Sequence, residues 1–236
     1  MSLLDRRARL IRQIGRLTVE KLYVFGEIKL FLDRHTLAPH YNTAKLINLA
    51  SGVIKKDSSL MTIADVGTGS GFIAISLARQ YPERSFLASD ICPHCIRLAE
   101  KSAKENGIKN INFFLNKDRI WLSEFSNQRL DFIISNPPFI GEKEFRSEEF
   151  KKSCPELEFE PVEALLTRGD ELGMGPLLEI VKNSRKNKTS AYLFMANCLT
   201  IEDVKKKLLQ EVNARISIVK DFEGLKRFLL IFPDRR

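Results

Sequence analysis

The chain has 236 residues, is 44% hydrophobic, and carries 38 Lys plus Arg against 30 Asp plus Glu, for a formal net charge of +8. That length holds one sizeable α/β core and excludes two large domains; no apolar run approaches the ~20 residues that span a bilayer, and residues 1–7 lack the apolar centre of a signal peptide. The expectation is a cytoplasmic chain with no membrane partner, its four cysteines, Cys92, Cys95, Cys154 and Cys198, free rather than paired.

In chain order, Leu3, Leu4, Leu10, Ile11, Ile14 and Leu17 recur near helical spacing among Arg6, Arg7, Arg9, Arg12 and Arg16. This predicts an amphipathic helix with its arginines outward. Such a face suits contact with RNA or the ribosome through phosphate charge, and it is equally the surface of an ordinary solvated helix. We read residues 1–38 as a basic, helical N-terminal extension and residues 39–236 as the main domain.

Residues 61–66 read as a buried strand and residues 72–79 as the helix that follows, so Asp65-Val66-Gly67-Thr68-Gly69-Ser70-Gly71 forms a strand-to-helix turn. Glycines there permit tight turning and close approach of a ligand to backbone N–H groups and the helix N-terminus. A second strand, residues 85–90, ends in Asp90, about 20 residues beyond the turn, the spacing at which a carboxylate accepts hydrogen bonds from ribose hydroxyls. A helix cap before Pro93 is the competing reading of Asp90.

Cys92-Pro93-His94-Cys95 resembles half of a metal site, but no second Cys/His pair stands at zinc-site spacing. Pro93 instead opens a helix that Gly107 closes. No metal is expected, and His35 and His40 receive no role. Residues 111–115 read as a further strand.

Residues 130–135 form another apolar strand, and its end delivers Asn136-Pro137-Pro138-Phe139 to the carboxyl edge of a parallel sheet, where open α/β folds bind ligands. An amide or exocyclic amine nitrogen is a poor nucleophile because its lone pair is delocalised. The Asn136 side-chain oxygen and the Pro137 carbonyl can each accept an N–H from such a nitrogen and fix its orientation. Pro137 and Pro138 stiffen the turn, and Phe139 offers a face for a planar group. A plain Pro-Pro turn is the bland alternative.

The charged stretch 141–158 reads as a substrate-facing lid or as a disordered loop. Residues 191–195, 215–219 and 227–232 supply strands, residues 201–212 a helix, and the last two strands an antiparallel hairpin around Gly224.

The Asp65 to Gly71 motif resembles the first motif of class I S-adenosylmethionine methyltransferases more than the Gly-x-Gly-x-x-Gly of dehydrogenases, whose third glycine is here Phe72. Together with Asn136 to Phe139, Phe159-Glu160-Pro161-Val162-Glu163-Ala164-Leu165 and residues 219–227, it resembles the HemK-type methyltransferases that modify a glutamine side-chain nitrogen of peptide release factors. The resemblance runs from about Phe25 to the end. It implies S-adenosyl-L-methionine as cofactor, with Asp65, Gly67, Thr68, Gly69, Gly71, Asp90 and Asn136 at its site, Asp118 on its adenine amino group, and Trp121 near that acid. It also implies Asn136, Pro137, Pro138 and Phe139 around the acceptor.

Three departures stand out. The segment that reads Leu-Ile-Pro-Arg-Pro-Glu-Thr-Glu in the family is here Leu37-Ala38-Pro39-His40-Tyr41-Asn42-Thr43-Ala44, fewer than forty residues precede Pro39 where the family carries a helical domain that grips the release factor, and Met195-Ala196-Asn197 stands where an acid is usual. The expectation is a Rossmann-like class I methyltransferase fold, a mostly parallel sheet of about seven strands with a C-terminal antiparallel hairpin, acting on a protein glutamine. The alternatives are adenine-N6 methylation of RNA and a catalytically idle, RNA-binding relative.

Overall fold

The computed structural model describes residues 3–118, 120–153 and 155–234, without the side chains of residues 3–7 and 153. Cys154 and the side chains of Leu3, Leu4, Arg6 and Arg7 lie outside the described residues. The chain opens with α1 (Leu3–Gly15), the hairpin β1 (Lys21–Phe25) and β2 (Ile28–Leu32), and α2 (Tyr41–Lys56). An alternating stretch follows: β3 (Thr62–Val66), α3 (Phe72–Gln80), β4 (Ser85–Asp90), α4 (Pro93–Glu105), β5 (Ile111–Leu115) and β6 (Phe132–Ser135). Short pieces come next, β7 (Ile140–Gly141), α5 (Glu142–Arg146), α6 (Glu148–Ser153), α7 (Val162–Leu165) and β8 (Leu166–Thr167). The chain closes with α8 (Gly175–Asn183), β9 (Ala191–Met195), α9 (Ile201–Glu211), β10 (Ala214–Lys220) and β11 (Lys226–Pro233).

The seven-stranded sheet has the order β10-β11-β9-β6-β3-β4-β5. β5, β4, β3, β6 and β9 run parallel, while β11 pairs antiparallel with both β9 and β10. The expected fold class and closing hairpin are therefore present, with Gly224 at φ +83° in the turn. Central strands buried on both faces need continuous apolar runs. Along β6, Phe132 and Ile134 face one apolar cluster with α2 and α3, whereas Ile133 faces the cluster beneath α8 and α9. Buried Asp131 locks the lower end: its Oδ2 accepts the N–H groups of Met61 (2.9 Å) and Thr62 (3.0 Å), and its N–H donates to the Thr62 carbonyl.

The N-terminal extension is more than a helix. Its hairpin packs on α4, where the Phe31 N–H donates to Ser102 Oγ at 2.9 Å and that hydroxyl donates to the Leu98 carbonyl. Ile11 and Ile14 of α1 join Leu30, Leu32, Ile75 and Ala103 in a third apolar cluster, while Arg9, Arg12 and Arg16 are exposed, as the amphipathic pattern requires. The charged stretch after β6 is folded into α5 and α6, short helices whose Glu142–Arg146 and Glu148–Lys151 pairs sit one turn apart. No described helix is long and apolar enough to cross a membrane.

Since Ile14 is 1% exposed, Ile14→Ala leaves a cavity between the extension and α4 and should cost about 2–5 kcal/mol of unfolding free energy. Urea denaturation measures this, and a loss below about 1 kcal/mol would show that α1 contributes little to the folded core.

Candidate functional site

Parallel pairing sets Val66 of β3 opposite Ser89 of β4 and Ser135 of β6, so the three strands end at one level. The residues that follow, Gly67, Asp90 and Asn136, emerge along one carboxyl edge. Backbone bonds secure the turn: the N–H groups of Gly67 and Thr68 both donate to the Ser89 carbonyl at 2.8 Å, and Gly71 N–H returns to the Thr68 carbonyl at 2.9 Å. Gly67, Gly69 and Gly71 have φ of +74°, +54° and +80°, a region costly for other residues.

The three glycines differ in what they face. A Cβ on Gly69 would meet nothing within 4 Å, whereas one on Gly71 would lie 3.0 Å from both Ala99 Cβ and Ile75 Cδ1. Gly69 therefore keeps a cradle open and Gly71 lets α3 pack on α4. Asp65 works from behind: its buried Oδ2 accepts Thr68 Oγ1–H at 2.6 Å and Ala74 N–H at 3.1 Å, tying the turn to the first turn of α3. Burial pushes its carboxyl up to about 7.

Asp90 braces the turn from the neighbouring strand. Its Oδ2 accepts Gly69 N–H at 2.8 Å and its Oδ1 accepts Cys92 N–H at 2.9 Å, which leaves each oxygen a further lone pair for a ligand. Burial raises its pKa, partly offset by these N–H groups. A cavity of about 530 Å³, ample for a nucleoside-sized ligand, is lined here by Gly67, Thr68, Gly69, Asp90, Asn136 and Pro138.

Neither Asp65 nor Gly71 lines that cavity, and Asp118 does not reach it. Asp118 is exposed and accepts Ile120 N–H (3.1 Å) and Ser123 Oγ–H (2.7 Å), a local turn beyond the strand. The polar side chain that the end of β5 brings to the cavity is instead Asn116, the first residue after that strand, with Trp121 beside it. Asn116 Nδ2 donates to the Ile120 carbonyl and to Glu124, while its Oδ1 is buried without a partner among the described residues. The sequence signal for Asn116 was its place immediately after a strand, the position that Asn136 shares.

A second cavity of about 560 Å³ adjoins the first, and Asn136, Leu37 and Ala38 line both. Phe139 faces the second, and Pro137 is buried and lines neither. The turn is held firmly: Thr167 Oγ1 donates to the Pro138 carbonyl (3.1 Å) and Asn197 Nδ2 to that of Phe139 (3.5 Å). Asn197 Nδ2 also bonds Glu144 Oε2 at 2.5 Å, so an acid does stand by this strand end, supplied by α5. Asn136 Oδ1 is buried and has no partner within the described chain. An acceptor left thus between two cavities costs stability unless a ligand satisfies it.

The divergent segment forms the partition. Pro39 and Thr43 face the first cavity, His40, Tyr41 and Asn42 the second. His40 Nδ1 caps α2 by accepting Asn42 N–H at 2.9 Å. Glu160 Oε2 accepts Ala38 N–H at 3.2 Å, which joins the 159–165 segment to this partition.

The family model for the methyltransferase small domain matches residues 48–154. The release factor glutamine methyltransferase of Flavobacterium psychrophilum is 31% identical over 219 residues, covering 89% of this chain and 74% of that protein. That of Escherichia coli (strain K12) is 32% identical over 161 residues, covering 68% of this chain and 54% of the relative, so the chain spans about half the length of such relatives. Among solved structures, the human METTL16 catalytic domain in complex with MAT2A 3'UTR hairpin 6 superposes with a TM-score of 0.68 at 18% identity, covering 99% of this chain and 81% of that one.

The buried Asp65 carboxyl gives a pH signature. Its folded pKa of about 7 lies above the unfolded value of about 3.9, so the folded state holds the proton more tightly and stability falls as pH rises from about 4 to about 7. Asp65→Asn keeps the acceptor for Thr68 and Ala74 without an ionisable group. Its denaturation free energy should decline less between about pH 5 and about pH 8 than that of the parent; equal slopes would mean that Asp65 does not titrate there.

Proposed function

Because the chain belongs to the release factor glutamine methyltransferase family, we propose that it transfers a methyl group from S-adenosyl-L-methionine to the side-chain amide nitrogen of a glutamine in a peptide release factor, in the cytoplasm. The observation that carries this reading is Asn136 Oδ1, a buried acceptor without a partner in the described chain at the junction of two cavities.

The first cavity fits the cofactor. Gly67, Thr68 and Gly69 would present backbone to it at the start of α3, Asp90 would take its ribose hydroxyls on the free lone pairs, and Asn116 Oδ1, in the place expected of Asp118, would accept from its adenine amino group. The sulfonium supplies an electrophilic methyl.

The chain's own contribution is orientation. Asn136 Oδ1 accepts an N–H bond of the amide, which turns the nitrogen lone pair toward the first cavity, while Pro137, buried and lining neither cavity, stiffens the turn. Phe139 provides a face for the planar amide from the second cavity, and Thr167 and Asn197 keep the turn from yielding. No strong base is required, since the methylated nitrogen loses its proton to water.

A second reading, methylation of an adenine amino group in RNA, rests on the exposed Arg9 and Arg12 of α1 and the net charge of +8. Incorporation of tritiated methyl into purified release factor and, separately, into bulk RNA distinguishes the two. Label in the factor that disappears on Gln→Ala at the acceptor supports the first reading, and label in RNA alone overturns it. Arg9→Gln with Arg12→Gln should leave methylation of free release factor within about twofold, because that substrate offers no phosphate lattice.

Asn136→Ala should lower turnover by at least about a hundredfold while cofactor affinity stays within about twofold. Retained turnover removes Asn136 from the mechanism. Asp90→Ala should do the reverse first, weakening cofactor binding by about 1.5–3 kcal/mol, or roughly ten- to a hundredfold. Calorimetry measures it, with circular dichroism to confirm the fold; an unchanged dissociation constant would leave Asp90 only the role of bracing the turn.

A further inference from the structure

At one wall of the cofactor cavity, which His35 lines, the loop after β2 and the first turn of α4 bring one carboxylate and two imidazoles together. Asp33 is 5% exposed, and its two oxygens face different rings: Oδ1 lies 3.5 Å from His35 Nδ1, and Oδ2 hydrogen-bonds His94 Nε2. The rings are 4.5 Å apart between centroids. One donor atom from each of the three residues falls within 4.8 Å of the others.

We propose that Asp33, His35 and His94 bind a divalent transition-metal ion of the zinc class, with its remaining positions filled by water. Zinc bonds of about 2.0–2.2 Å to nitrogen and oxygen place neighbouring tetrahedral donors roughly 3.3 Å apart. The Asp33–His35 separation already matches. The closer Asp33–His94 pair is hydrogen-bonded and has to open to that spacing to admit the ion.

Two further features favour an ion over a hydrogen-bonded cluster. Asp33 is a buried carboxylate whose two oxygens each face an imidazole nitrogen, and zinc takes both kinds of ligand. The ligands are also oriented in advance, as metal ligands commonly are. Thr36 Oγ1 accepts Asp33 N–H and donates to the Asp33 carbonyl, the His35 N–H donates to Asp33 Oδ1 at 2.9 Å, and Cys95 Sγ donates to the His35 carbonyl at 3.2 Å. Arg97, 3.3 Å from His94 Nε2, is half exposed and already bonded to Glu20 at 2.8 Å, so it can withdraw toward that partner. The role assigned is a fastening: the ion joins the extension, through Asp33 and His35, to α4, through His94, along one wall of the first cavity.

The test is titration of the tag-free, full-length protein with Co2+, read by visible absorption and reversed by Zn2+. The expected result is saturable d–d bands without an intense thiolate-to-cobalt band, retained in Cys92→Ser and Cys95→Ser. His35→Gln and His94→Gln, each with unchanged circular dichroism, should weaken binding by at least about tenfold. The parent spectrum decides even where a variant fails to fold. Absence of saturable bands, a thiolate signature, or binding indifferent to both histidine variants overturns the site.

Discussion

The register among β3, β4 and β6 is the constraint from which the rest follows. Asp131 fixes the β3–β6 part of it at the lower end by taking the N–H groups of Met61 and Thr62 on one oxygen, and the parallel pairing of β3 with β4 sets the rest. Val66, Ser89 and Ser135 then lie side by side, and Ser135 Oγ donates to the Val66 carbonyl at 2.5 Å. A slip of one residue would exchange the buried faces of β6 and withdraw Asn136 from the cavities together. Chemistry at the carboxyl edge thus rests on a carboxylate at the opposite end of the sheet.

On that base the site is assembled from groups whose demands interlock. Backbone N–H groups of the glycine turn are shared between the Ser89 carbonyl and the Asp90 carboxylate, and Asp65 grips the turn from the far side. Each carboxylate bears a cost of burial that polar partners only partly relieve. Asp65 Oδ1 is also buried without a partner in the described chain, but behind the turn, whereas the like oxygens of Asn116 and Asn136 belong to residues that line the first cavity. The first pair shapes the cradle; the second pair is what remains for ligands to satisfy.

How much of this was legible depended on whether local pattern or tertiary position decides a residue's surroundings. Long apolar runs ending in glycine or asparagine disclosed β3, β4, β6 and the residues after them, because buried parallel strands have little compositional freedom. The hairpin of β1 and β2 was not read: its turn, Gly26-Glu27, joins strands of only five residues. The helices α5 and α6 carry charge without an apolar stripe, so periodicity is silent there. Asp118 misled for a different reason. Acid chemistry matched the expected ligand, but two residues of extra chain after β5 turn it outward and leave Asn116 at the cavity.

The contact between Gly15 and the 159–165 segment bears on how the molecule is made. A Cβ at Gly15 would come within 2.3 Å of the Phe159 carbonyl, and Arg16 lies over the Phe159 ring at 5.1 Å. During synthesis, α1 and its apolar face precede that ring by more than a hundred codons. Until the ribosome has released Phe159, Ile11 and Ile14 lack part of their cover, and the partition that Glu160 anchors through Ala38 is unfinished. The turn after β3 and the end of β4 emerge earlier, but Pro161, Glu163 and Ala164 line the first cavity with them, so it too waits for this segment. Both cavities are therefore completed only once the 159–165 segment has been made, and vectorial growth leaves the whole site open until then.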